Sequence, residues 1–319
     1  MSPPSLARRP QSSGAPAVSI VLPTYRRARQ VGETVQALLS QTRTDFELIV
    51  SDDGDGTDGT EAAIRAVSAG DARVSYRRNP VRLAMPGNLN HAIGATRGQY
   101  VAICLDHDLV RSEWLARLVG LLERHPSAAF AFPASDIVDE RGSSTNEWRD
   151  LGFAELTPGR AFVARLLDQP DFYMPVAAMN VSRRSAYEAV GLFDPLYGPY
   201  ADWEMWMRLA LFGDVAFARE ALALPRAREA DSPLQANPWP FLVATIAIHR
   251  RYREALGGRF ARAGERGRFA LRTTRLVADQ LLRERRQGGR AAIRGVTDGL
   301  VRQAGLGVRL SARLLGGGG

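Results

Sequence analysis

Residues 46–59 read FELIVSDDGDGTDG, and this stretch decides the fold. Its first half is a short run rich in apolar and β-branched residues, which is typical of a strand buried on both faces of a parallel sheet. Its second half is a turn of Asp and Gly residues, and a helix is predicted to follow at 60–68. A strand should therefore end at Asp52, with carboxylates directly after it.

The same alternation continues on both sides of this stretch. A strand at 17–23 and a helix at 30–41 are predicted before it. Further strands and helices are predicted after it: strands at 74–76, 99–105 and 128–133, and helices at 88–96 and 112–124. Strands and helices that alternate at this spacing predict βαβ units, hence an α/β fold with a mainly parallel sheet flanked by helices. In such sheets ligands bind outside the carboxyl ends of the strands.

Three regions are predicted from composition. Residues 1–16 are rich in Pro, Ser and Gly, so a disordered leader is expected. A main domain should cover 17–235, including a long surface loop at 136–159 and a helix at 202–212. Residues 236–319 are expected to form a basic, helical C-terminal extension.

The basic residues are unusual in kind and in position. All 42 are Arg, which excludes the lysine of a Schiff base or a P-loop. Residues 250–319 contain 17 Arg and 5 acidic residues, so the net charge of +8 belongs to this tail and residues 1–249 are net negative. Two interpretations stay open: the tail lies on an anionic membrane, or it packs on the main domain. Nucleic acid is not an expected partner, because few aromatic residues interleave with the Arg.

Other features predict a cytoplasmic protein, which could also bind peripherally to the inner face of the membrane. No apolar stretch approaches the roughly 18 residues of a membrane span, and no secretory signal is evident. Cys104 is the only cysteine and lies in an apolar run, so burial is predicted rather than catalysis.

A second acidic cluster follows the strand at 99–105. Asp106 and Asp108 flank His107, and alternate side chains of extended backbone point to the same side. Two such carboxylates repel unless a cation lies between them, and their oxygen ligands suit Mg²⁺ or Mn²⁺ together with phosphate oxygens. A solvated turn that caps the next helix is the simpler interpretation of this triplet alone.

Two other classes of site do not fit the sequence. The first strand is followed by Thr24-Tyr25-Arg26 and not by a Gly-rich G-x-G-x-x-G turn, which argues against a dinucleotide oxidoreductase. The Asp-rich turn is not a calcium loop, because the positions that need Gly and a bidentate acid hold Asp58 and Ile64.

Five motifs occur in one order: VSIVLPTYRR (18–27), LLSQTRTDFELIVSDDGDGTDGT (38–60), NLNHAIGATRGQYVAICLDHD (88–108), GLFDP (191–195) and YADWEMWMRL (200–209). In this order they resemble family 2 glycosyltransferases, which have the GT-A fold of nucleotide-diphospho-sugar transferases. The resemblance covers about residues 17–235.

The resemblance implies a role for several side chains in binding the donor. Pro23 and Tyr25 match first-strand residues that border the nucleobase, and Asp53 matches the acidic residue that accepts a hydrogen bond from the base. Asp106 and Asp108 match the metal-binding triplet. In that triplet Asp108 is the direct ligand of Mn²⁺ or Mg²⁺, and Asp106 reaches the ribose or a metal-bound water.

The resemblance also implies the reaction, in which one sugar moves from a nucleotide-diphosphate donor to a hydroxyl with inversion. Asp202 matches the catalytic base at the head of a helix, and Glu204 is a second candidate. The acceptor class is a glycan, a lipid-linked molecule or a small molecule. Residues 136–159 and 227–239 are candidate closing loops.

The sequence departs from the family in three places. Arg26 replaces an Asn, and Ala201 stands where an acid often precedes the base. The segment Pro225–Pro233 lacks the His that helps to hold the metal or diphosphate, so Arg226 or Arg228 is a candidate in its place. These departures keep a second hypothesis open, a non-catalytic binder of nucleotide sugars. A nucleotidyltransferase fits less well, because the chain lacks a Gly-rich first loop and Lys.

Overall fold

The computed structural model describes residues 14–139, 142–148, 151–168, 179–226 and 239–257. The elements of the N-terminal half are β1 (Val18–Thr24), α1 (Val31–Leu39), β2 (Phe46–Asp52), α2 (Thr60–Ser68), β3 (Val74–Arg78), α3 (Ala84–Gly94), β4 (Tyr100–Ile103), β5 (Leu109–Val110) and α4 (Trp114–Arg124). Those that follow are β6 (Ala128–Val138), β7 (Ser144–Trp148), β8 (Leu156–Thr157), α5 (Gly159–Asp168), β9 (Val181–Arg183), α6 (Arg184–Val190), a 3₁₀ segment (Pro195–Tyr200), α7 (Ala201–Phe212), β10 (Asp214–Leu224) and α8 (Trp239–Ala255).

The strands form one sheet in the order β3-β2-β1-β4-β9-β6-β10-β5. The first four run parallel, as the βαβ pattern predicts. In their register Thr24 lies opposite Asp52, and Asp52 lies opposite Arg78. The carboxyl ends of β1, β2, β3 and β4 therefore lie at one edge of the sheet, as predicted for the two acidic clusters that follow β2 and β4.

The other half of the sheet is mixed. Strand β9 runs antiparallel to both β4 and β6, whereas β10 runs parallel to β6. Short β5 and β8 add to β10 in antiparallel orientation. The sequence did not predict these directions, because the strands of this half are short and a hydrophobic pattern does not specify strand direction.

The predicted surface loop at 136–159 is wrong in part. Strand β6 continues to Val138 and pairs antiparallel with β7, and β8 pairs with β10. Such pairing needs only backbone hydrogen bonds, which polar residues form as readily as apolar ones. The hydrophobic pattern therefore did not reveal it.

The core joins the parallel strands to the helices on them. Ile20 and Leu48 are fully buried with Leu38 of α1 and with Trp114 and Leu118 of α4. A cluster of aromatic rings packs on the other half of the sheet, with centroids 5.0–6.3 Å apart: Phe130, Phe132, Phe153, Phe162, Phe193, Trp206 and Phe217. Cys104 is free and fully buried, as predicted, and burial raises the pKa of its thiol.

The described residues divide into two units. The first holds the sheet, α1 to α4, α6 and α7. The second holds residues 163–168, 196–200 and α8, where Arg253 donates to the Leu167 carbonyl at 3.1 Å and pairs with Asp168 at 2.8 Å. None of the helices in the described residues combines the length and apolar character that crossing a membrane requires.

Several segments with predicted roles lie outside the described residues. This applies to 1–13 of the leader, and to the closing-loop candidate at 227–238. It also applies to the Arg-rich residues 258–319. The domain boundaries and the role of the tail therefore stay predictions.

Glu47 ties three parts of the parallel sheet together. Its buried carboxylate on β2 accepts hydrogen bonds from Ser19 Oγ of β1 at 2.6 Å and from Arg97 N at 2.9 Å. The guanidinium of Arg97 adds bonds of 2.9 and 2.6 Å. Next to it, a Cβ on Gly98 would lie 2.6 Å from Ser19 N, so only glycine permits this close approach.

We predict that Glu47→Gln lowers the free energy of unfolding by about 2 kcal/mol, because an amide group replaces one acceptor of charge-assisted bonds. Burial opposes the charge of Glu47, yet the bonds from Ser19 and Arg97 hold its pKa below the ordinary 4.5. This stabilisation is therefore present above pH 4.5 and is lost as the pH falls through the lower pKa of the folded state. Urea unfolding at neutral pH and in acid measures both effects.

The matched control is Glu220→Gln, which removes the charge of an exposed ion pair with Arg117. It should change stability by less than about 0.5 kcal/mol. Equal losses in the two variants would show that the Glu47 contacts do not stabilise the sheet.

Candidate active site

Two buried carboxylates lie in the turn after β4. Asp106 and Asp108 are 7% and 4% exposed. Oδ2 of Asp106 accepts a hydrogen bond from the backbone N–H of Tyr25 at 3.1 Å, and Oδ1 of Asp108 accepts one from the backbone N–H of Arg226 at 3.0 Å. The loop after β1 and the residues after β10 thus meet at this turn.

Helix α1 fixes the position of the segment that contains Asp108. Thr34 Oγ1 donates to the Asp108 carbonyl at 2.9 Å. At the other end of the helix, the Gln41 amide donates to the Arg111 carbonyl at 2.9 Å and accepts from Leu115 N at 3.0 Å. The backbone of the turn is therefore held along its length, and this positions the carboxylates that it carries.

Positive groups surround the two carboxylates. His107 Nδ1 lies 3.1 Å from Asp106 and its Nε2 lies 3.7 Å from Asp108, while Arg27 Nε is 3.7 Å from Asp106. Burial raises the pKa of Asp108, although His107 and Arg226 act against this. Burial also opposes a charge on His107, but its two Asp neighbours raise its pKa overall. Burial therefore disfavours the charged form of Asp108 more than its positive neighbours favour it.

The donor set fits a hard divalent cation that shares its coordination with a ligand. Among the described residues, no group of three or more His, Cys, Asp or Glu is arranged to hold a metal ion by itself. Mg²⁺ and Mn²⁺, however, commonly bind one or two carboxylates and take their other ligands from water and phosphate. Within the described part of the chain, the hydrogen bond to the Asp108 carboxylate falls on Oδ1, which leaves Oδ2 available as a ligand.

The first-strand residues lie beside this turn. Pro23 is buried and pairs in register with Ser51 of β2. Tyr25 is 37% exposed, and the guanidinium of Arg82 lies 4.3 Å from the centroid of its ring. Tyr25 and Asp106, two predicted donor-binding residues, are thus in direct contact through the backbone of Tyr25.

Asp53 has a structural role that the sequence did not reveal. Its carboxylate accepts hydrogen bonds from Asn79 Nδ2 at 3.0 Å, Leu83 N at 2.7 Å and Ala84 N at 2.9 Å. Ala84 has a φ of +59°, so these bonds hold the backbone in a left-handed conformation at the start of α3. The backbone N–H of Asp53 also donates to the Thr24 carbonyl at 2.9 Å. The predicted contact between Asp53 and a nucleobase stays a prediction.

Helix α3 connects Asp53 to the turn that precedes α7. The side chain of Asn90 accepts from Phe193 N at 2.9 Å and donates to the Phe193 carbonyl at 2.8 Å. Arg208 of α7 holds the same turn from the other side, through the carbonyls of Val190 at 2.8 Å and Leu192 at 2.9 Å. The GLFDP motif is therefore held by hydrogen bonds from both α3 and α7.

The candidate base lies in the first turn of α7. Asp202 is partly exposed, and its Oδ1 accepts from Trp203 N at 2.9 Å. Glu204, the second candidate, is fully buried and pairs with Arg208 at 2.7 Å. Glu204 is therefore less accessible than Asp202.

Arg226 is a further residue of the site. Its side chain is 8% exposed and forms an ion pair with Glu33 of α1. The sequence pointed to Arg226 because Pro225–Pro233 lacks the family's His. No feature of the sequence pointed to Glu33. Arg228 lies outside the described residues.

We predict that Asp53→Asn lowers the free energy of unfolding by about 2–3 kcal/mol, because one side-chain oxygen becomes an N–H group that faces other N–H donors. Thermal or urea unfolding measures the loss. Asp55→Asn is the control, since Asp55 is 48% exposed and pairs with Arg26 at the surface. If both variants lose the same stability, Asp53 does not hold the start of α3.

Comparison with known proteins gives concordant matches. The family described as Glycosyl transferase family 2 matches residues 19–191. An uncharacterized glycosyltransferase of Haemophilus influenzae is 26% identical over 213 residues, which cover 65% of this chain and 64% of that protein. The GalNAc(5)-diNAcBac-PP-undecaprenol beta-1,3-glucosyltransferase of Campylobacter jejuni is 25% identical over 198 residues, 61% of this chain and 60% of that protein.

A solved structure shows a similar fold. Residues 1–349 of S. aureus TarS, in complex with UDP-GlcNAc, superpose with a TM-score of 0.57 at 17% identity, over 73% of this chain and 66% of that one. At this identity the likeness shows the fold alone. None of the three alignments reaches two thirds of the other protein's length.

Proposed function

Because the chain belongs to glycosyl transferase family 2 and has the GT-A fold, we propose that it is a glycosyltransferase that moves one sugar from a nucleotide-diphosphate donor to an acceptor hydroxyl with inversion. One observation carries the proposal. The buried carboxylates Asp106 and Asp108 lie together at the carboxyl edge of the sheet, in contact with the loop of Tyr25 and with Arg226. Ligands of open α/β sheets bind at this edge.

The donor would lie along this edge, with its nucleoside toward Tyr25 and Asp53 and its diphosphate toward Asp108. The structure of TarS with UDP-GlcNAc supports a UDP-sugar as the first donor to test. Asp108, with Asp106 beside it, would hold Mg²⁺ or Mn²⁺. A bound divalent cation supplies positive charge that offsets the charge of the departing diphosphate. The guanidinium of Arg226, which pairs with Glu33, is a second positive group near this edge.

Asp202 would act on the acceptor. As the acceptor oxygen forms its bond to the anomeric carbon, the bond from that carbon to the diphosphate breaks, and the hydroxyl proton passes to the Asp202 carboxylate. The first turn of a helix favours negative charge, which suits a carboxylate that acts as a base. The partial exposure of Asp202 leaves it accessible to an acceptor, in contrast to the buried Glu204.

The acceptor is a glycan, a lipid-linked molecule or a small molecule, and action in the cytoplasm or at its membrane surface remains part of the proposal. The name of the Campylobacter jejuni relative supports testing a lipid-linked glycan first. Residues 136–159 and 227–239 stay the candidates for closing loops, and all of the second segment but Trp239 lies outside the described residues.

We predict that Asp202→Asn lowers turnover of a UDP-sugar, as transfer or hydrolysis, by at least about 100-fold, because the amide cannot take the proton. Binding of UDP should change by less than about twofold, since the variant leaves the donor-binding edge intact. Steady-state assays with Mn²⁺ and calorimetric UDP titrations measure the two effects. Asp71→Asn, in the turn between α2 and β3 where the half-buried Asp71 pairs with Arg73, is the control.

Full turnover by Asp202→Asn would contradict its role as the base. A parent chain that binds UDP, yet neither transfers nor hydrolyses any sugar, would support the second hypothesis of a non-catalytic binder of nucleotide sugars.

A further inference from the structure

Arg226 is fixed beside Asp108 by the backbone on both sides of it. Its own N–H donates to Oδ1 of Asp108 at 3.0 Å. The preceding carbonyl, of Pro225, accepts from Val138 N at 2.9 Å, and Arg226 forms a parallel bridge with Val138. Its side chain therefore starts from a defined point at the edge of the site.

The guanidinium of Arg226 is directed to Glu33. Nη2 forms an ion pair with the Glu33 carboxylate, while the buried Nε has no hydrogen-bond partner in the described part of the chain. Glu33 lies in the first turn of α1 and is 60% exposed. The exposed Glu33 carboxylate thus binds the guanidinium of Arg226, a side chain that is only 8% exposed.

Two consecutive residues of α1 act on Asp108. Thr34 donates to its carbonyl at 2.9 Å, and Glu33 reaches it through Arg226. Because the backbone N–H of Arg226 is bonded to the buried Asp108, the Arg226 side chain begins next to this carboxylate. Without Glu33, Asp108 would be the nearby carboxylate toward which this guanidinium could turn.

We propose that Glu33 is a positioning residue that holds the guanidinium of Arg226 away from Asp108 and thereby keeps the carboxylate open to a divalent cation. The inference rests on the proposed function, because it concerns the cation that Asp108 would hold. Glu33 itself touches neither the cation nor the donor. Its effect is transmitted through one side chain, so it must vanish when that side chain is removed.

The test is the affinity of the full chain for Mn²⁺ alone, measured by calorimetry or by the electron paramagnetic resonance of free Mn²⁺. Glu33→Ala should weaken Mn²⁺ binding about tenfold, the lower end of the effect of residues that orient a metal ligand. Glu33→Gln, which keeps a hydrogen bond to the guanidinium but loses the charge, should give a smaller loss. In an Arg226→Met background, Glu33→Ala should change the affinity by less than about twofold, since its only route to Asp108 is gone.

Glu61→Ala is the control, because Glu61 is also an acid in the first helical turn, that of α2, and pairs with Arg65. It should leave Mn²⁺ affinity unchanged, and the unfolding temperature of each variant shows that it is folded. Unchanged affinity in Glu33→Ala, or an equal loss with and without Arg226, would overturn the inference. A parent chain that binds no Mn²⁺ would overturn it as well, and would remove the metal from the proposed function, a result that is distinct from the other two.

Discussion

The structure depends on the burial of two carboxylates at the end of β4. Asp106 and Asp108 are adjacent charges that are almost excluded from water, and such charges are tolerated only where hydrogen-bond donors and positive groups surround them. The donors come from the backbone near Tyr25 and near Arg226, which are far apart in the chain. Satisfying these charges therefore brings the loop after β1 and the end of β10 to one place.

Polar contacts extend this arrangement to the rest of the candidate site. The carboxylate of Asp53 sets the start of α3, Asn90 of α3 holds Phe193, and the turn at Phe193 leads to the helix that carries Asp202. Asp53, which is buried, and Asn90, which is half-buried, satisfy backbone groups that no helix or strand pairs. Substitutions along this series should act on the position of α7 as well as on stability, because the contacts are sequential.

The sequence predicted the parts of the molecule that are encoded locally. The parallel strands β1 to β4 and the carboxylates after β2 and β4 follow from short apolar runs that end in Asp and Gly. Helix α3 begins at Ala84, whereas the sequence predicted a start at 88. The prediction was late because Pro86 interrupts the helical pattern. Proline nevertheless fits the first turn of a helix, where its nitrogen needs no hydrogen-bond partner. The pairing of β6 with β7 had no hydrophobic pattern to reveal it.

Contacts between distant residues could not be predicted in this way. Glu33 and Arg226 are 193 residues apart, and nothing in either local sequence indicates that they meet. The bonds from Asp53 to the backbone of Leu83 and Ala84 depend on a left-handed conformation at an alanine, which residue type does not suggest. The family resemblance gave Asp53 and Asp202 their expected roles, and the structure supplies the contacts that hold them in place.

The most direct measurement is the unfolding temperature of the parent chain and of Asp108→Asn with nucleoside diphosphates, each with and without Mn²⁺. A ligand that binds only the folded chain raises this temperature. If the site at Asp106 and Asp108 binds a diphosphate together with a cation, at least one nucleoside diphosphate should stabilise the parent, Mn²⁺ should increase the shift, and Asp108→Asn should abolish that increase. No shift with any nucleoside diphosphate, or an increase with Mn²⁺ that persists in Asp108→Asn, would contradict the assignment of the site.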